Sequence, residues 1–217
     1  MEVVSITYQS KNDYVYSKIK KDILQKLLKP GQRLVVSELA KKLNSSPMPV
    51  REALIRLAQE EFVELVPHVG ASVISYNEQR LLEIHQIRIE LESLATRLLA
   101  PVISDKQIKK LDDLMNNGKL IIGSGSVEQY FEWNKKFHRT IAEMNPNRTL
   151  ANQIITIWQK LELIGTRFGL HTWCIDKSYS EHMLWTNALR SRDPVTAEAV
   201  CRQHCTAVSE SNLEDFI

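Results

Sequence analysis

The chain has 217 residues, 43% hydrophobic and 25% charged, with a formal net charge of +2; this balance suits one large or two small globular domains and excludes the disordered class. No apolar run approaches the roughly 20 residues of a membrane span, and "MEVVSITYQSKNDY" lacks the basic start and apolar core of a secretion signal, so a cytoplasmic protein with no membrane partner is expected. Three cysteines (Cys174, Cys201, Cys205) make a poor disulfide framework, and seven glycines with no G-x-G-x-x-G or P-loop disfavour the common nucleotide-binding enzymes.

Charge and pattern divide the chain near residue 76. Residues 1–75 hold eleven Lys and Arg against eight Asp and Glu, whereas 76–217 hold seventeen against eighteen, which places affinity for a polyanion at the N-terminal end. Val15, Ile19, Ile23 and Leu27 recur at four-residue steps and predict a helix from about Asp13 to Leu28, ended by Pro30 and Gly31. Ser37 reads as the cap of a short helix with Leu39 and Leu43 inward. A third helix, about Met48 to Glu60, has Ser46 as N-cap, Pro47 at its first position, and Val50, Ala53, Leu54 and Leu57 on one face. "FVELV" and "ASVIS" then flank "PHVG" as a two-stranded hairpin turning at a glycine. Three helices followed by a hairpin is the order of a winged helix-turn-helix, expected over residues 1–76.

The remainder, 77–217, reads as an all-α bundle. Asn77 opens a helix to about Ala100 with Leu81, Ile84, Ile87, Leu91, Leu94 and Leu98 on one stripe. Ser104 with Gln107 is a capping box, and "GSGS" (123–126) is a spacer. Further helices are predicted from about Val127 to Met144, Arg148 to Phe168, Asp176 to Ser191 and, after Asp193, from Pro194 to Leu213. The fold class is therefore mainly α, with one small β-wing.

"PGQRLVVSELAKKLNSSPMPVREALIRLAQEEFVELVPHVGASV" resembles the GntR family of bacterial transcriptional regulators. "RIELESLATRLLA", "FHRTIAEMNPN", "EHMLWTNALRSRDPVTAEA" and "QHCTAV" resemble the helical FCD ligand-binding domain of its FadR branch. The resemblance implies a homodimer that reads an inverted-repeat DNA operator and answers to a small-molecule effector. It places Arg33, Ser46, Met48, Pro49, Arg51, Arg56, His68 and Gly70 at the DNA, with Arg51 reaching a guanine edge or a phosphate and Ser46 donating to a phosphate at the helix start. Positions three and four residues from Arg51 hold Pro47, Met48, Leu54 and Ile55, so no acid on its own helix can pair with it. Where the family usually has "SRTPVREAL" this chain has "SSPMPVREAL", a departure that bears on base preference more than on binding.

His138, His182 and His204 fall on three predicted helices, a donor set suited to Zn²⁺ or Ni²⁺. The resemblance implies a metal held by three histidines and an aspartate one turn before the first of them; here that position is Asn134, an uncharged donor. The resemblance also implies that arginines near the metal, Arg88 and Arg167, hold an effector carboxylate; for Arg88 the alternative is an outward-facing side chain paired with Glu92. Cys201 and Cys205 read as small buried residues. The expected function is a DNA-binding regulator, most simply a repressor, whose operator binding answers to a carboxylate metabolite. The alternative, a helical metal-dependent enzyme acting on small organic acids, lacks a motif such as H-E-x-x-H with its glutamate base.

Overall fold

The computed structural model describes residues 11–75, 77–124, 126–164 and 172–214. It divides into two compact units, 1–76 and 77–217.

In the first unit, α1 (Lys11–Leu24), α2 (Val36–Lys42) and α3 (Pro47–Gln59) surround Val15, Ile19, Ile23, Leu39, Val50, Ala53, Leu54, Leu57 and Phe62, all buried. Strands β1 (Arg33–Leu34), β2 (Val63–Val66) and β3 (Gly70–Val73) form an antiparallel sheet in the order β1-β3-β2, with Val66 opposite Gly70 at the turn between β2 and β3. Two polar knots fix α1. The buried Asp22 accepts from Lys18 at 2.6 Å and from Lys42 of α2 at 3.2 Å. At the other end, the Tyr16 hydroxyl and Lys20 ammonium both reach Glu60, just beyond α3, at 2.7 Å.

Several expectations for this unit shift. α1 ends at Leu24, and Leu27 is 62% exposed, because Lys26 adopts a left-handed φ of 57° that ends the helix before the proline. Ser37 lies inside α2, whose N-cap is Val35. β1 carries no local sequence signal; two residues are too short for a period, and only pairing with β3 makes them a strand. Ser46 does occupy the N-cap of α3, in extended conformation with Pro47 at N1.

The second unit contains α4 (Glu78–Leu99), a 3₁₀ turn (Ala100–Val102), α5 (Asp105–Ser124), α6 (Val127–Met144), α7 (Arg148–Ile164), α8 (Thr172–Arg190) and α9 (Pro194–Glu214). Asn77 caps α4 through a 2.9 Å bond from Arg80 N–H, and Ser104 and Gln107 form the reciprocal capping box. α5 continues through Gly123, so the predicted spacer shrinks to its end. The predicted stripe of α4 is rotated from the buried face. Ile87 and Leu98 are exposed, while His85, Arg88, Glu92, Ser93 and Thr96 are buried beside Leu81 and Ile84. Apolar periodicity cannot find a face that is buried because it is polar and paired. No helix of the described residues is long and apolar enough to cross a membrane.

Trp133 of α6 packs against Gly118 of α5 and donates its indole N–H to the Leu114 carbonyl at 2.7 Å. A Cβ at Gly118 would lie 2.4 Å from the indole. Gly118→Ala should therefore cost about 1–3 kcal/mol by overpacking, against a gain of at most about 1 kcal/mol in helix propensity. Thermal unfolding measures the balance, and a raised Tm would show that Trp133 moves freely.

Asp22 sets a second expectation. Burial pushes its carboxyl pKa up, but the hydrogen bonds from Lys18 and Lys42 win and hold it below the usual range. A carboxyl depressed by folding stabilises above its unfolded value of about 3.9 and loses that contribution as pH falls through the folded value. Asp22→Asn should cost on the order of 1–3 kcal/mol near neutrality, with the gap to wild type narrowing below about pH 4. Urea unfolding across pH tests this; a pH-independent gap would deny the charge any part in it.

Candidate nucleic-acid interface and metal centre

Helix α3 buries Val50, Ala53, Leu54 and Leu57, which leaves Met48, Arg51, Glu52, Ile55, Arg56 and Gln59 as its exposed stripe. Met48 is 62% exposed, an apolar side chain held in water at the start of the helix. No ion pair among the described residues engages Arg51. Arg56 is engaged: its guanidinium lies 3.7 Å from the Tyr16 ring centroid and reaches Asp13 at 3.3 Å and Glu60 at 3.6 Å, joining α3 to α1. Arg33 also has a partner, donating to the Val69 carbonyl at 3.0 Å and so bracing the hairpin tip. That tip carries His68 at φ 64° and Gly70 at φ 115°, both exposed. Pro49 is half-buried beneath the exposed stripe, and the Ser46 hydroxyl makes no capping bond. Ser46, Met48 and Arg51 thus share an open helix start where, Pro47 and Pro49 having none, Met48 and Val50 supply the backbone N–H groups, an arrangement that suits phosphate and base edges.

In the second unit, His138 of α6, His182 of α8 and His204 of α9 converge. His138 Nε2 lies 3.2 Å from His182 Nε2 and 3.3 Å from His204 Nε2, and all three rings are buried. Behind them stand two carboxylates: His138 Nδ1 is 2.6 Å from Glu92 Oε2, and His204 Nδ1 is 2.8 Å from Glu181 Oε2. Burial pushes the histidine pKa values down, that of His138 to about 4. All three rings are therefore neutral at pH 7. Burial alone would raise Glu92, but His138 and Arg88 outweigh it and hold the carboxyl low, so Glu92 is ionised.

These facts settle a tautomer. An ionised carboxylate only accepts, so His138 Nδ1 carries the proton and Nε2 presents its lone pair; the Glu181 carboxylate imposes the same on His204. Two lone pairs then face each other at 3.3 Å in a buried site, a repulsion that a cation between them relieves, as an N–H on His182 Nε2, 3.2 Å from His138 Nε2, would in part. Two nitrogens bound at about 2.0–2.1 Å to one tetrahedral cation stand about 3.3–3.4 Å apart. Asn134 precedes His138 by one helical turn, and its Oδ1 is buried without a hydrogen-bond partner. The residues present therefore fit a divalent cation.

Arg88 does not face outward, as the pairing alternative had it, nor does it stand open to a carboxylate ligand. It is buried, donates from Nε to Glu92 Oε1 at 2.9 Å, and stacks over Trp158 at 4.5 Å. Its guanidinium is already matched to an anion. Arg167 lies outside the described residues. Glu92, Cys201 and Cys205 form a second close group, with Cys205 Sγ 3.5 Å from Glu92 Oε2 and 3.9 Å from Arg88 Nη2. The hydrogen bond with Cys201, together with burial, pushes the Cys205 thiol well up, so it stays protonated beside the Arg88 guanidinium. Sequence reasoning missed Glu92 as a support of His138, along with Glu181 and Trp158. Arg88 and Glu92 are visible as an i, i+4 pair, but no local signal joins Glu92 to a histidine 46 residues away.

Residues 83–207 match the FCD domain, and residues 11–73 match the family described as bacterial regulatory proteins of the gntR family. The HTH-type transcriptional regulator McbR of Escherichia coli K12 is 30% identical over 161 residues, 74% of this chain and 71% of its own. The HTH-type transcriptional repressor RspR of the same strain is 24% identical over 203 residues, 94% of this chain and 89% of its own. The structure of E. coli McbR/YncC superimposes with a TM-score of 0.72 at 25% identity, covering 95% of this chain and 97% of that one. These families are regulators, which sets aside the reading as a metal-dependent enzyme. The chain is a GntR-family transcriptional regulator with an FCD effector-binding domain.

Proposed function

We propose that this regulator is a cytoplasmic, homodimeric repressor whose hold on an inverted-repeat operator answers to a carboxylate effector bound at a metal-containing site in its second unit. The observation that carries the effector side is the buried meeting of three imidazoles, with His138 Nε2 3.2 Å and 3.3 Å from the Nε2 atoms of His182 and His204, backed by carboxylates. His138, His182 and His204 would hold the cation, with Asn134 Oδ1 as a fourth, uncharged donor; Zn²⁺ and Ni²⁺ suit this set. A cation held there supplies a Lewis-acidic point for a carboxylate oxygen. The name of RspR supports the repressor reading. Arg88, through Glu92, couples α4 to His138, and α4 is the first helix after residue 76 in the chain.

On the DNA side, Arg51 is the residue expected to read a base, with Ser46, Met48, Pro49, His68 and Gly70 around it and Arg33 and Arg56 bracing the hairpin and α3. A two-fold dimer presents two copies of α3, so the operator is a short inverted repeat.

Arg51→Ala should weaken binding to the selected operator by about 1–3 kcal/mol while leaving thermal stability unchanged, since no ion pair among the described residues is lost. Gel shift on the operator checks this, and unchanged affinity would mean that α3 is not the reading helix.

His182→Ala should lower bound metal and blunt the effector response while leaving operator binding by the effector-free protein intact. Elemental analysis of the full chain and melts with and without chelator measure the first part. If the wild-type protein carries no metal and neither Zn²⁺ nor Ni²⁺ raises its Tm, the triad binds no cation and the metal reading is wrong.

A further inference from the structure

We infer that Glu181 supplies, from behind His204, the negative charge that Asn134 does not supply as a direct ligand, and that Glu181 therefore sets how tightly the triad holds a divalent cation. This rests on reading the triad as a metal site.

A dication among three neutral imidazoles and an amide oxygen is an uncompensated charge in a buried place. Burying charge without a counter-charge is costly. Two carboxylates adjoin the triad, and their circumstances differ. Glu92 is matched by Arg88, a buried guanidinium 2.9 Å away, so that pair adds no net charge. Glu92 also accepts from Trp158 Nε1 at 2.7 Å and takes the Cys205 thiol on its other oxygen, so its lone pairs are filled. Its work is orientation: it fixes the His138 tautomer and ring.

Glu181 has no Lys or Arg partner among the described residues and meets His204 Nδ1 at 2.8 Å. Its side chain is 19% exposed, so its charge is poorly screened. It lies on α8 beside His182 in sequence yet pairs with the ligand contributed by α9. An imidazole that donates Nδ1–H to an anion is the more basic at Nε2, and such outer carboxylates raise the metal affinity of the ring they hold. The negative charge next to this site is thus one residue removed from the cation, passed through an imidazole.

Glu181→Gln separates charge from geometry, because glutamine keeps the shape and an oxygen that accepts from His204 Nδ1. Zn²⁺ affinity of the full chain is read by competition with a chromophoric chelator, with far-UV circular dichroism and metal-free melts confirming that the variant folds. E181Q should bind Zn²⁺ about 10–100-fold more weakly than wild type, and adding Asn134→Asp should recover most of that loss by restoring the charge at the ligand position. Glu92→Gln strips Arg88 of its buried partner and is expected to lower stability, so E181Q decides the matter. If wild type binds Zn²⁺ and E181Q binds it equally well, Glu181 only orients the ring and the inference is overturned. It is overturned too if N134D leaves the E181Q loss in place. Absence of Zn²⁺ binding by wild type would instead refute the metal reading on which it stands.

Discussion

The second unit is organised around one carboxylate. Glu92 projects from α4 and receives Arg88 from its own helix, His138 from α6, Trp158 from α7 and Cys205 from α9. An isolated carboxylate in such a place would carry a penalty of several kcal/mol, so each donor that meets it is held where it stands. Removing any one leaves a buried charge short of a partner, and the geometry of His138 depends on the set. Apolar contacts are non-directional and give this bundle its cohesion; the Glu92 network supplies direction.

The first unit uses the same device closer to the surface. Tyr16, Lys20 and Arg56 gather on Glu60 just past the end of α3, and Asp22 gathers Lys18 and Lys42 between α1 and α2. The Glu60 knot ties the end of α3 to α1, and the apolar face of Val50, Ala53, Leu54 and Leu57 anchors the helix. Arg51, on the opposite side, is left outside the scaffold. A residue that carries recognition is thereby separated from residues that carry stability.

Local signals made much of this legible. The order of helices and the hairpin, the caps at Ser46, Asn77 and Ser104, and the start at Pro194 are written in short stretches whose chemistry acts over three or four residues. The three histidines could be grouped by resemblance to a family, and the fold brings their Nε2 atoms together. What could not be read depends on distant partners. The strand β1 exists only against β3, and the inward turn of Arg88 depends on helices α6, α7 and α9. Placing Ile87 on the inner stripe of α4 followed hydrophobicity alone, whereas the buried positions are those whose polar groups find partners.

The tryptophans have a consequence for how the molecule can be watched. Trp158 and Trp185 lie 4.6 Å and 5.3 Å from the His138 ring, and Trp133 lies 5.3 Å from that of His182. All four tryptophans of the chain belong to residues 77–217. Tryptophan emission, excited beyond the tyrosine band, therefore originates in the second unit, with three of its sources against the imidazole rings. Their brightness and colour report on those rings without a dye, and events confined to the first unit are dark in the same channel.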